Sequence, residues 1–559
     1  MSREWLVSFG LLALGSAAAA AAAPPPPSAG STIQQVPQTP PPPKSLPEIT
    51  VQGQNTPAES GADQVRFRVT RLNITGEHVF SADALLATSG FKPDSDLSLA
   101  DLRNFAARIA NYYHQHGYFV AQAYIPAQDV QDGIVTITVV EGHYGKVTLN
   151  NTTHLSDSLA NDLLRPVRSG EAVSIAPLER SLLLLSDVPG VNVRSTLTPG
   201  ASVGASDLIV AVTPGSFLSG SVDADNEGDR YTGPYRLGGT LNINDPSGHG
   251  DVVTLRALTS FGDLAYGRVA YQIQLDAVKL GVAYADMKYW LGKEFSGLLA
   301  NGTAQIESLY GSYPIVRTRN GNLFFQLDYD FKRFVDDVDS TDNNSDKKAG
   351  VLMASLVGDQ RDGLWGGALN TYSLTFSAGD LTIESSQALT ADQATARTDG
   401  HYEKVALNAS RLQTVADNTW VYLGVSGQLA SRNLDISEQM ELGGASAVRA
   451  YPEGEAYAVE GYVLNLELRR QLAWLDRVPG QKQIIAFADT GTVRLEKSPW
   501  IPGENDRTLT GAGLGFNWTD PRSFLVTAYL AHKIGAAAAN SAPDHSVRFW
   551  IQAVKYFGS

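Results

Sequence analysis

Beyond residue 216 the chain alternates apolar and polar residues with period two, run after run. In 265–275, AYGRVAYQIQL, Val269, Tyr271, Ile273 and Leu275 share one face and Arg268, Gln272 and Gln274 the other. In 323–331, LFFQLDYDF, Leu323, Phe325, Leu327, Tyr329 and Phe331 oppose Gln326, Asp328 and Asp330. In 462–469, Leu464, Leu466 and Leu468 oppose Asn465, Glu467 and Arg469. Successive side chains of a strand point to opposite faces, so each run predicts a sheet with one greasy and one charged surface. A charged face that persists along the whole sheet suits lipid outside and water inside a closed barrel. Such runs begin near 219, 236, 251, 266, 279, 304, 323, 350, 370, 403, 419, 462, 483, 511, 524 and 546. The expectation for 216–559 is a 16-stranded transmembrane β-barrel, whose even count lets first and last strands meet antiparallel. Polar stretches such as 335–348, DDVDSTDNN followed by SDKK, read as loops at the water surface.

Upstream the period changes. In 65–143, FRVTRLNIT reads as a strand, Ser81 and Ser98 as helix caps, and Leu99, Leu102, Phe105, Ile109 and Tyr112 as the stripe of the longer helix. Gly117 closes that helix, and FVAQAYIP and IVTITVVEG follow as a strand pair. Residues 144–215 repeat the order with KVTLNN, helices from Ser156 and Ile175, then VNVRSTL and DLIVAVT. Two copies of one β-α-α-β-β layout predict tandem α+β modules. Residues 24–63, with Pro24–Pro27 and Pro40–Pro43, hold too few large apolar groups to offset the entropy of ordering. They read as a semi-extended Pro-rich linker with no amphipathic stretch. Residues 1–23 pair Arg3 with an apolar core and an alanine tract, the pattern of a secretory signal peptide.

Composition then removes alternatives. The chain has no cysteine, which excludes disulfides, thiolate metal sites and thiol nucleophiles. Its net charge of -15 argues against nucleic acid. Asp223-x-Asp225-x-Glu227-Gly228 begins like a calcium loop, but the twelfth position is Pro234, where a bidentate acid is needed. The nine histidines show no ligand spacing, and neither a nucleophile elbow nor a phosphate-binding loop is present. The expectation is a protein that is not an enzyme and carries no metal or cofactor.

Three segments carry a family resemblance. NYYHQHGYFVAQAYIPAQDVQDGIVTITVVEG supplies Gly117-Tyr118, Pro126, Gln128, Gly133 and Glu141-Gly142; DNEGDRYTGPYRLGG with GHGD supplies Asn226, Gly228, Gly233, Gly250 and Asp251. LGGASAVRAYPEGEAYAVEGYVLNLELR contains Val448-Arg449-Ala450-Tyr451, and IIAFADTGTV contains Phe487, Asp489 and Gly491. Together these resemble the outer-membrane transporters of two-partner secretion, the ShlB/FhaC/HecB haemolysin secretion/activation family within the BamA-like superfamily. The resemblance implies two POTRA domains (65–143 and 144–215) in the periplasm before the barrel.

It further implies that loop 443–461 folds into the lumen and that Arg449, of its V-R-G-[YF] motif, pairs with Asp489, of its F-x-D-x-G motif. A planar guanidinium gripping a carboxylate fixes a loop tip better than a lysine would. Ile485, Phe487 and Asp489 share one parity, so Phe487 also points inward, under the loop tip. Two departures stand out: Ala450 replaces the motif glycine, and the later G-D-x-G is reduced to Ala458-Val459-Glu460-Gly461. The implied partner is a secreted exoprotein, adhesin or haemolysin-like, captured in extended form, with outer-membrane lipid around the barrel. Strand addition to a POTRA sheet edge is the expected capture mode, at Phe119, Val120, Tyr124 and Ile125 in the first module and Val193 and Leu197 in the second. The alternative is a BamA-like insertase that assembles other barrels.

Overall fold

The computed structural model describes residues 26–37, 46–52, 65–473 and 478–558; the expected signal peptide lies outside them. From Leu218–Asp225 to Val547–Phe557, 16 strands form one closed barrel. Every neighbouring pair is antiparallel, and the ring shuts where Gly220 to Asp225 face Phe557 to Gln552. On the seventh strand, Gly321–Val338, the side chains of Phe325, Leu327, Tyr329 and Phe331 are 40 to 46 % exposed on the outer wall. With no neighbours outside, that apolar belt is a lipid surface. No described helix is long and apolar enough to cross a membrane.

The expected loop at 335–348 is corrected. The seventh strand runs to Val338 and the eighth, Asn343–Asp362, starts at Asn343, leaving only a one-turn helix at Asp339–Thr341 between them. These strands of 18 and 20 residues are longer than the roughly ten needed to cross hydrocarbon. Their ends stand in water, where the backbone ladder persists but both faces are polar. Outward-facing pairs there, Arg333–Asp346 and Lys348–Glu384, each at 2.7 Å, mark the change of solvent.

The first module stacks helices Ala82–Ser89 and Leu99–Gln115 on a sheet ordered Arg71–Thr75, Ile134–Val140, Gln122–Tyr124. Ser98 and Asp101 cap each other's backbone at the second helix, which buries Leu102, Ala106, Ile109 and Tyr113. The single strand expected from FRVTRLNIT breaks at Thr70. There Gly133 accepts from both Thr70 and Arg71, and Arg66–Val69 turns away to pair with Ser95–Ser98.

The second module repeats this with helices Asp157–Leu163 and Ile175–Ser186 on a sheet ordered Glu48–Val51, Val191–Pro199, Ala205–Pro214, His143–Asn151. Its first strand is the surprise, because it comes from the stretch read as a bland linker. That reading is corrected twice over: Glu48–Val51 is a strand of the second module, and Ala29–Gln34 is a helix in the barrel lumen. Six residues cannot hold a helix by propensity. The surrounding wall supplies the stability, so the sequence gives no local signal.

The second module is tied to the adjoining barrel turns. Arg317 grips Asp187 with two bonds of 2.7 Å, Arg180 donates to the Pro314 carbonyl at 2.7 Å, and the Ser156 N–H donates to Gly248 at 2.7 Å.

Candidate functional site: a lumen closed by a lid and a helix

The loop joining the eleventh strand, Thr419–Ala430, to the twelfth, Glu460–Gln471, folds back into the barrel as a lid. Its tip carries Val448, Arg449, Ala450 and Tyr451, all buried. Arg449 reaches the thirteenth strand, Gln481–Arg494, where its Nε and a terminal nitrogen donate to the two oxygens of Asp489 at 2.9 and 2.7 Å. Its backbone N–H adds a third bond to Asp489 at 3.1 Å. The guanidinium also donates to Glu467 at 2.7 Å and lies 3.6 Å from the Phe487 ring centre and 4.6 Å from that of Tyr529. One cation thus meets two carboxylates and two ring faces away from bulk water. Charge-assisted and cation–π contacts are at their strongest in such surroundings.

The rest of the tip is fitted by shape. Ala450 lies against Gly511, where a β-carbon would come within 2.4 Å of the Ala450 methyl. Ala450 is not among the residues with positive φ, so alanine stands at the motif's glycine position without backbone strain. Gly491 leaves room for Leu442 of the lid. Trp550 on the last strand donates its indole N–H to the Arg449 carbonyl at 2.7 Å, and the Tyr451 hydroxyl donates to the Ala537 carbonyl at 3.1 Å. Fully buried Glu455 accepts from Arg507, from the Asn540 N–H at 2.9 Å, and from the Ser541 N–H and hydroxyl at 3.0 and 2.8 Å. The lid is therefore stitched to the final extracellular loop as well as to the wall.

The base of the lid crosses to the opposite wall. Glu438 meets Lys332 and Lys404, both at 2.8 Å, and Asp435 meets Lys347 at 2.7 Å. Burial pushes the Glu438 carboxyl up, but the two ammonium groups outweigh it and hold it at about 2. Asp435 is likewise held below the ordinary carboxylate range against its burial, by Lys347 and the Ser437 N–H.

The helix Ala29–Gln34 is seated differently. The Ala29 N–H donates to Asp336 at 2.7 Å, the Gln34 amide to the Ile436 carbonyl at 2.6 Å, and the Gln35 amide to the Tyr457 hydroxyl at 2.7 Å. Arg236 donates to the Gln35 carbonyl at 2.6 Å while bound to Asp225 at 2.8 Å. Around the helix end lie Asp229, Glu441 and Glu453. Burial pushes Asp229 up to about 7 and Glu453 up to about 8, and raises Glu441 as well. The acids of the calcium-like run are engaged by arginines, Asp225 by Arg236 and Asp223 by Arg256 at 2.9 Å.

The expected module edges are only partly free. In the first module the strand is just Gln122–Tyr124, bonded on one side to Ile134–Val140, with Tyr124 exposed and Ile125 beside it. Phe119 and Val120 precede that strand and pack against the core of the second module, so they are corrected from edge to inter-module contact. Val193 and Leu197 point into the second module's core, and the backbone edge they belong to already carries Glu48–Val51. Sequence reasoning also missed Glu467, Tyr529, Trp550 and Glu455. Only Glu467 had a signal, the lumen-facing parity it shares with Asn465.

A family model described as "Haemolysin secretion/activation protein ShlB/FhaC/HecB" matches residues 204–518, and one described as "POTRA domain, ShlB-type" matches 67–142. The heme/hemopexin transporter protein HuxB of Haemophilus influenzae is 27% identical over 474 residues, covering 83% of this chain and 82% of its own. The outer membrane transporter CdiB of Dickeya dadantii is 26% identical over 416 residues, 70% of each chain. Among solved structures, CdiB from Escherichia coli superposes with a TM-score of 0.70 at 19% identity, covering 90% of this chain and 93% of its own. BamA from Haemophilus ducreyi lacking POTRA domains 1–3 superposes with a TM-score of 0.54 at 13% identity, covering 88% of this chain and 100% of its own.

Proposed function

Because the chain belongs to the ShlB/FhaC/HecB haemolysin secretion/activation family, whose members are two-partner secretion transporters of the outer membrane, we propose that it captures a secreted exoprotein in extended form and threads it through the barrel without ATP. The barrel lies in the outer membrane and the POTRA domains in the periplasm. The carrying observation is a lumen that, among the described residues, is occupied by the lid and the helix, above a periplasmic sheet edge bonded on one side. Such an edge offers main-chain bonds to an unfolded strand whatever its sequence. With no nucleotide-binding loop in the chain, folding of the cargo outside supplies direction. By analogy with a relative named for haemopexin and another, ShlB of Serratia marcescens, named a hemolysin transporter, the cargo is an adhesin- or haemolysin-like exoprotein.

Deleting 65–214 tests this. The barrel should still insert, with heat-modifiable migration, while one or more large proteins present in the medium of wild-type cells disappear. An unchanged set of secreted proteins refutes capture by the POTRA domains.

A further inference from the structure

Where first and last strands close the ring, the outer wall is hollowed. Register sets Trp518, Val526, Ala553 and Ala224 in one row across four strands, and Phe524, Lys555 and Val222 in the next. All seven share the outward parity of their strands, so the two alanines form a floor and the larger side chains rise around it. The groove they line measures about 380 Å³. Its aromatic side is fixed: Trp518 lies edge to face on Phe524 with ring centres 4.8 Å apart, and the indole N–H donates to the Pro479 carbonyl at 2.8 Å. On the seventh strand, by contrast, Phe325 to Phe331 present an outward run of large side chains with no hollow and no cation between them.

The second row brings a charge to one end of this groove. Lys555 is exposed between Phe524 and Val222, two residues before the last strand ends. That end is periplasmic, because Phe557 lies opposite Gly220, close to where the chain enters the barrel from the POTRA domains. The Lys555 ammonium donates to the Ser523 hydroxyl at 2.7 Å, and among the described residues no carboxylate pairs with it. An ammonium has three N–H donors, so two are left for an anion. On a lipid-facing wall a cation costs least near the membrane surface, at the depth of the phosphate headgroups and of interfacial tryptophans such as Trp518.

We propose that this groove holds one glycerophospholipid of the periplasmic leaflet, its phosphate on Lys555 and an acyl chain along Ala553 and Ala224. The two parts of the site select the two parts of the ligand. A hydrocarbon-lined hollow that faces the membrane takes a hydrocarbon chain, and the ammonium at its periplasmic end takes the phosphate. A protein strand finds no open backbone here, since first and last strands are each paired on both sides. The site needs only a barrel in the outer membrane and stands apart from the export reading.

Native mass spectrometry of the full-length protein, after equilibration in detergent with phosphatidylglycerol, phosphatidylethanolamine or a diacylglycerol of the same chains, tests this. The wild type should retain one molecule of either phospholipid and no diacylglycerol. Lys555→Gln should retain about tenfold less phospholipid, since one charge-assisted contact is lost, and Lys555→Arg should restore retention. Ala553→Phe, which fills the hollow and leaves the cation in place, should abolish it. Heat-modifiable migration reports folding, and Lys555→Gln, which removes no packed group, decides the matter if Ala553→Phe does not fold. Equal retention by wild type and Lys555→Gln overturns the proposal. So do a wild type that retains no phospholipid, one that holds diacylglycerol as well as phospholipid, one that prefers lipid A, and one that binds a second copy of the chain in place of lipid.

Discussion

The lid tip and the N-terminal helix occupy the same lumen, yet the wall grips them by opposite means. Arg449 enters a pocket of two carboxylates and two aromatic faces, and Trp550 and Glu455 tie the neighbouring backbone to the last strand and last loop. The helix makes no ion pair of its own; Asp336 accepts from its first N–H, Arg236 donates to the carbonyl at its end, and its two glutamine amides donate to Ile436 and Tyr457. The contrast teaches that one lumen holds one insert by buried ion pairs and the other by hydrogen bonds to its backbone ends and amides.

The largest effect should come from Arg449→Ala. Removing one partner of a buried ion pair leaves Asp489 without its cation, while Glu467 keeps Arg469, at about 3–5 kcal/mol, enough to undock the lid. Protease cleavage within 443–461 should rise sharply and export should fall; a lid as protected as in the wild type would break the contrast. Of intermediate size is Gly30→Leu. A β-carbon at Gly30 comes within 2.8 Å of the Ser437 β-carbon, so a larger side chain should unseat the helix, at about 1–3 kcal/mol, and raise conductance while the lid stays protected. If the lid is lost along with the helix, the two inserts are one cooperative unit.

The smallest effect is a pH dependence that separates them. Asp229, which shares the space at the helix end with Thr32 and Gln35, is raised to about 7 by burial, so the seated helix keeps a proton there that the released one gives up. Seating is therefore favoured most below the ordinary carboxylate range and weakens as pH rises through about 7. Glu438 is depressed to about 2, so the lid base keeps its contribution above the ordinary range and loses it only as pH falls towards about 2. Raising pH from about 5 to about 8.5 should increase conductance without exposing the lid to protease. A flat conductance over that interval would remove the carboxylates from the account of the helix.

Legibility in the sequence followed the solvent. Wherever one face of a strand meets lipid and the other water, as at Leu323–Phe331, the period of two shows through and the strand was readable. At 335–348 the outer face meets water and the inner face meets polar groups of the helix and the lid base, as at Asp336 and Lys347, so the alternation vanishes and a strand reads as a loop. The lid pair was readable because Arg449 and Asp489 sit in family motifs and Asp489 keeps lumenal parity. Trp550 was not, because its partner is the carbonyl of Arg449, and much of what Glu455 binds is likewise the backbone of residues 540–541. Contacts to backbone leave no trace in side-chain identity.

Chain order, barrel, tandem modules and the charge destined for the lumen were set by the sequence alone, through local periodicity and the chemistry of single side chains. Which segments fill the barrel and complete the second POTRA sheet was decided only by tertiary structure. Ala29–Gln34 and Glu48–Val51 are too short to order themselves, and acquire helix and strand only because the lumen wall and a sheet edge supply the partners they lack.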